Sequence, residues 1–188
     1  MDSSEGSYQP NSDGVPIDLF VSKKKPHLKF TDSCSNLVFS VHRPSGSDFE
    51  HHHPPPKRLL SDSSGNSLIF ISHNQKASWE GFRKDSNDPM FRVERTTNTL
   101  TRLEFQVFLK SGNKNSDFKM RGSPFYRSCT IYKGDSIVAQ TSLMYKLGIQ
   151  KVLVPRNRFR LTIFPGYADH AFIVALTVIF FYGRKLWI

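Results

Sequence analysis

The chain has 188 residues, with 26 Lys and Arg against 16 Asp and Glu for a formal charge of +10, and a chain of that length buries about two-thirds of its unfolded surface on folding as one domain. Sixteen Phe and a hydrophobic fraction of 38% exclude a wholly disordered chain, and the composition also excludes collagen, a coiled coil and a disulfide-dense secreted scaffold. The positive excess favours polyanionic partners (lipid headgroups, nucleic acid, acidic proteins) without choosing among them.

Residues 1–16 are rich in Ser, Gly, Pro and Asp without periodicity, the composition of a disordered lead. They hold neither a basic n-region nor an apolar stretch, so no secretory or mitochondrial signal is read and a cytoplasmic or nuclear protein is expected. In a reducing compartment Cys34 and Cys129 are expected as free thiols. Through Ser22 the chain carries Asp2, Glu5, Asp13 and Asp18 and no cation, which leaves 26 basic against 12 acidic residues, +14, on the remainder.

From Asp18 onward short apolar-alternating runs recur between turn signals, the pattern of strands. The predicted strands are Leu19 to Ser22, Leu37 to His42, Leu59 to Leu60, Leu68 to Ser72, Trp79 to Phe82 and Met90 to Arg95, then Arg102 to Lys110, Phe118 to Arg121, Ser128 to Tyr132, Ile137 to Ser142, Lys151 to Val154 and Phe159 to Phe164. Alternation is clearest where Leu103, Phe105, Val107 and Leu109 interleave with Glu104 and Gln106. DSSGN (62–66), KSGNKNSD (110–117) and KGDS (133–136) read as hairpin loops, because Gly tolerates positive φ and Asn or Asp caps turns locally. HHHPPPKR (51–58) is a surface loop: prolines cannot sit in a ladder, and three adjacent His without Cys or carboxylate at ligand spacing are not a metal site.

The last element has a different character. After Pro165 and Gly166, Asp169 is an N-cap candidate and Gly183 a C-cap candidate, and between them lies a helix of about 169–182 that is apolar on every face. Such a helix must be surrounded on every face. Some twelve strands and one such helix predict a mainly β fold: a closed, roughly twelve-stranded barrel over 17–183 enclosing the helix, followed by a short basic and aromatic tail at 184–188. Phe172, Ile173, Val174, Leu176, Val178, Ile179, Phe180 and Phe181 would together contribute on the order of 12 to 24 kcal/mol gross before entropy. The uncharged run Ala171 to Tyr182 falls short of the ~20 apolar residues a bilayer span needs, although its position before Arg184 and Lys185 also fits a short tail anchor.

The segments DFKMRGSPFYRSCTIYKGDS (117–136), IVAQ (137–140) and FRLTIFPGYADHAFIVALTVI (159–179) closely resemble the plant LURP-one-related family. PIDLFVSKK (16–24), SNLVFSV (35–41), LLSDSSGNSLIFI (59–71) and FRVER (91–95) follow in that family's order. The resemblance implies a tubby-like barrel around a central C-terminal helix, shared with tubby proteins and phospholipid scramblases. Against the family the stretch Ser22 to Asn36 looks shortened, with a strand expected to be missing or reorganised there. YGRKLWI (182–188) is basic and aromatic where the family turns acidic.

No nucleophile elbow, His-Glu-x-x-His helix, P-loop or dinucleotide turn occurs. Cys129, in RSCTIY, reads as a packed strand residue. The expectation is a non-enzymatic protein without cofactor or metal, a monomer that acts peripherally at the plasma membrane or in the nucleus. By the resemblance, its partners are phosphoinositide lipid and proteins of defence signalling. The phosphate-binding candidates are Lys119 and Arg121, two apart and therefore on one strand face; Arg92 and Arg95, three apart and therefore on opposite faces; and the polybasic run Lys23, Lys24 and Lys25. Two other readings stand beside this one: a nucleic-acid-associated regulator, for which no reading motif is present, and a scramblase-like membrane protein. Outward cations that only keep a barrel soluble are a fourth.

Overall fold

Alternation builds nearly every wall of this fold, with one side chain turned inward and the next turned out. The computed structural model describes residues 14–24, 27–44, 57–74, 78–84, 86, 88–99, 101–109, 115–144, 158–166 and 169–182. The strands are β1 (Ile17–Lys24), β2 (His27–Thr31), β3 (Leu37–His42), β4 (Arg58–Asp62), β5 (Ser67–Asn74), β6 (Ser78–Phe82), β7 (Phe91–Asn98), β8 (Leu103–Leu109), β9 (Phe118–Ser123), β10 (Ser128–Lys133), β11 (Ser136–Leu143) and β12 (Arg158–Ile163), followed by α1 (His170–Tyr182). Each strand pairs antiparallel with its sequence neighbours, and β1 closes the ring on β12 through Leu19 opposite Leu161 and Val21 opposite Phe159. A closed ring has no free edge to recruit another strand.

The helix threads the ring. Phe172 through Phe181 are all buried, and rings from the wall meet the helix along its length, Phe91 and Phe118 on Phe172, Phe105 on Phe180 and Phe159 on Phe181. Phe172, Ile173, Leu176 and Ile179, read from sequence as the core of the helix, sit in the main core cluster. Asp169 caps the helix, its Oδ1 accepting from the Phe172 amide at 2.9 Å. No helix among the described residues is long and apolar enough to cross a membrane.

Two loops share one construction. In DSCSN (32–36) and DSSGN (62–66) the Asp Oδ1 accepts from the Asn amide at 2.8 Å, and the Asn side chain returns a bond to Oδ2 at 2.9 Å. Each loop turns through positive φ before its Asn, at Gly65 (φ 86°) and at Ser35 (φ 68°). KGDS turns through Gly134 (φ 58°).

One expectation is corrected. The stretch Ser22 to Asn36 loses no strand, because it contains β2, whose Leu28 and Phe30 turn into the core while His27 and Lys29 face out. The cluster KKKP in front of it hid a five-residue alternation. The predicted strand Lys151 to Val154 lies outside the described residues, as do most of HHHPPPKR, Lys25, Gly183, the segment 184–188 and nearly all of 1–16.

Candidate functional site

Consecutive antiparallel strands fix which loops share an end. α1 starts at the end where β12 finishes and runs toward the end where β1 finishes, so Tyr182 emerges beside Lys23, Arg58 and His73. The two ends differ in charge. Around the helix N-terminus the described loops and strand ends carry Asp32, Asp62, Asp88, Asp117, Asp135 and Asp169 with Arg83, Lys84 and Lys133. Around Tyr182 stand Lys23, Arg43, Lys57, Arg58, Arg95, Arg102, Arg127 and Arg158, with Glu104 the carboxylate among the described residues there.

Much of this positive end comes from strand parity. On six strands the inward-facing series runs from core residue to a basic side chain at the same end, a cation on five and an imidazole on one: Leu19, Val21, Lys23; Phe39, Val41, Arg43; Leu60, Arg58; Ile69, Ile71, His73; Phe91, Val93, Arg95; and Ile131, Cys129, Arg127. The apolar lining of the barrel is thus rimmed mainly by cations, at the end toward which the helix carbonyls point and where the helix carries no basic residue in its own last turn.

A cavity of about 530 Å³ opens there, lined by Arg43, Pro44, Lys57, Arg58, Ile71, Ser72, His73, Trp79, Val178, Ile179 and Tyr182. Its walls are partly fixed in place. The Arg58 guanidinium lies 4.5 Å from the Tyr182 ring centroid and donates from Nη1 to the Lys57 carbonyl at 2.8 Å. Lys23 Nζ stands 5.2 Å from the same ring centroid, and His73 packs edge-on to Trp79 at 4.8 Å. Burial, then the charges of Lys57 and Arg95, hold the His73 imidazole below its ordinary pKa. The buried nitrogens Arg58 Nε, His73 Nε2 and Arg95 Nη1 have no hydrogen-bond partner among the described residues.

The residues predicted from sequence divide between this end and the outer wall. Lys119 and Arg121 both project outward and are exposed, with Phe118 and Met120 inside. Arg121 is not a free cation: Glu104, opposite it on β8, holds its Nε at 2.6 Å and takes Arg102 Nη2 at the same distance. Arg102 first, and then Arg121, keep the Glu104 carboxyl below the usual carboxylate range. Lys119 lies two residues from Asp117 over a cavity of about 350 Å³ shared with Gln106 and Asn115. Arg92 faces outward, 3.0 Å from Glu94, while Arg95 faces inward. Lys23 turns into the mouth; Lys24 ends β1. The mouth residues Arg43, Lys57, Arg58 and His73 were not singled out as a site from sequence; their signal was the inner-face parity just given.

One exposed aromatic pair shares the basic end. The β9–β10 turn presents Phe125 and Tyr126, 43% and 59% exposed, with their rings 5.1 Å apart. Buried Cys129 has its thiol pushed far above the ordinary range by desolvation, whereas Cys34 is exposed in the loop 32–36 at the opposite end.

The sequence profile of the LURP-one-related family matches residues 17–181, from the first residue of β1 to within one residue of the end of α1. The chain belongs to the LURP-one-related family. It is 40% identical to Protein LURP-one-related 7 of Arabidopsis thaliana over 97% of this chain and all of that one, and 30% identical to Protein LURP-one-related 15 of the same plant over 87% and 78%. The crystal structure of an Arabidopsis thaliana protein 31% identical in sequence superposes with a TM-score of 0.64 over 89% of this LURP-one-related chain and 90% of the other.

Proposed function

We propose that this LURP-one-related barrel is a non-enzymatic, monomeric cytoplasmic protein that docks peripherally on anionic, phosphoinositide-bearing membrane, basic end first. The observation that carries this reading is the coincidence of the cation rim with the exposed Phe125–Tyr126 tip at one end of the barrel, the acidic loops lying at the other. Cations near an anionic leaflet gain about 1 kcal/mol each, and aromatic side chains favour the headgroup zone. Opposite charge at the far end turns the barrel axis toward the bilayer. A role in plant defence signalling is the part of the reading that rests on family alone.

The test is sedimentation with liposomes of phosphatidylcholine alone or with added phosphatidylinositol bisphosphate. Pelleting only with the anionic lipid, weakening as salt rises, supports docking. Arg43→Ala with Lys57→Ala should weaken it more than Lys119→Ala with Arg121→Ala, because Glu104 already neutralises part of the outer pair. Absence of pelleting at low salt overturns the reading.

A further inference from the structure

The mouth holds more than diffuse positive charge. Buried polar atoms in folded proteins are almost always partnered, yet three nitrogens from three different strands, Arg58 Nε on β4, His73 Nε2 on β5 and Arg95 Nη1 on β7, lack a partner among the described residues. No ion pair among the described residues joins Arg43, Arg58 or Arg95 to a carboxylate. Service to the helix C-terminus would explain cations at this end, but its carbonyls would then accept from these nitrogens, and none does. Arg58 and His73 line the cavity, and Arg95, which is not among its lining residues, stands near enough to His73 for its charge to act on the imidazole; below this polar rim the wall is Ile71, Trp79, Val178 and Ile179, and the 530 Å³ volume lies within the span of about 300 to 1,000 Å³ typical of small-molecule sites.

We propose that the barrel mouth binds a phosphomonoester on an amphiphilic carrier, the phosphate taken by Arg58, His73 and Arg95 and the apolar portion laid against Trp79, Val178 and Ile179. A phosphate offers three acceptor oxygens to donors arriving from three strands, and charge-assisted bonds to guanidinium are the strong kind. The stacking of Arg58 on Tyr182 and its bond to the Lys57 carbonyl hold its guanidinium in place before any ligand arrives. The inference deepens the docking reading by naming a headgroup site, and it is testable without a membrane.

Isothermal titration calorimetry of the full chain with inorganic phosphate, inositol trisphosphate and monomeric dioctanoyl phosphatidate separates free from lipid phosphate. The expected result is saturable binding of the phosphatidate, about tenfold or more tighter than either soluble anion. Arg58→Lys keeps the charge but removes Nε, and it should weaken phosphatidate binding about tenfold or more. Arg95→Met should weaken it likewise while leaving the melting temperature of the ligand-free protein equal or higher, since a half-buried guanidinium with one buried nitrogen unpartnered is removed. Failure of phosphatidate to bind, equal affinity for all three anions, or full affinity in Arg58→Lys would overturn the proposal. Liposome pelleting with silent calorimetry would leave docking standing and remove the pocket; calorimetric binding without pelleting would do the reverse.

Discussion

Replacing Leu176 by Ala tests the placement of the helix at the barrel axis. Leu176 is fully buried in the middle of α1, and truncating a buried Leu to Ala costs about 2 to 5 kcal/mol, more where the surroundings cannot collapse. They cannot easily do so here, because the wall is a hydrogen-bonded ring closed by β1 on β12 and cannot move in on one side alone. The expected cost is therefore in the upper part of that range, about 3 to 5 kcal/mol. For a domain of this size each kcal/mol lowers the melting temperature by about 2 to 4 °C, so a fall of roughly 6 to 20 °C is expected. Differential scanning calorimetry reads it, with Ile137→Ala as a control, since Ile137 is 43% exposed on β11 and surface changes usually fall within about 0.5 kcal/mol. If Leu176→Ala shifted the melting temperature no more than Ile137→Ala, the helix would not be the core of the barrel and the reasoning would fail.

Two further outcomes follow from packing and titration. At Gly122 on β9 an added Cβ would run into the Ser128 carbonyl and the Cys129 Cα of β10, backbone atoms that cannot rotate aside, so Gly122→Ala should destabilise by about 1 to 3 kcal/mol in urea titration, and an unchanged midpoint would contradict the close approach. His73, facing Lys57 and Arg95, and His170, beside Asp169, are both held below the ordinary imidazole pKa, chiefly by burial. The unfolded chain then binds more protons than the folded one once pH drops through about 6.5, and stability is lost from there down through the lower folded values. Urea midpoints at about pH 7.5 and about pH 5.5 should therefore differ less in a His73→Gln, His170→Gln double variant than in the parent; an equal difference in both would refute this assignment.

The barrel was legible because its evidence is local and repeated. Short apolar runs between turn signals mark eleven of the twelve strands at or near their observed limits, and an all-round apolar helix has one place to go. β2 escaped because His27, Lys29 and the lysines before it made HLKFT look like a solvated linker, although Leu28 and Phe30 carry the alternation. The site was less legible. Parity separates Arg92 from Arg95 and brings Lys119 together with Arg121, but only register reveals that Glu104 lies opposite Arg121. The mouth demanded both inner-face parity and strand direction, so that Lys23, Arg43, Arg58, His73 and Arg95, spread over 73 positions of sequence, fall at one end. Lys23 and Arg95 were among the sequence candidates, but reading cations as outward by default concealed Arg43, Arg58 and His73.

The orientation of the barrel on a bilayer is the claim from which the functional account hangs, and the two cysteines make it measurable. Cys34 is exposed at the acidic end, and Cys129 is buried with its thiol held protonated, so a nitroxide reagent labels the native chain at Cys34 alone. A Cys34→Ser, Tyr126→Cys chain places the same probe on the aromatic tip of the basic end. With liposomes containing phosphatidylinositol bisphosphate, power-saturation electron paramagnetic resonance should show the label at 126 in contact with the lipid interface and the label at 34 fully water-accessible. Lipid contact at 34, or none at 126 on pelleted protein, would contradict the account.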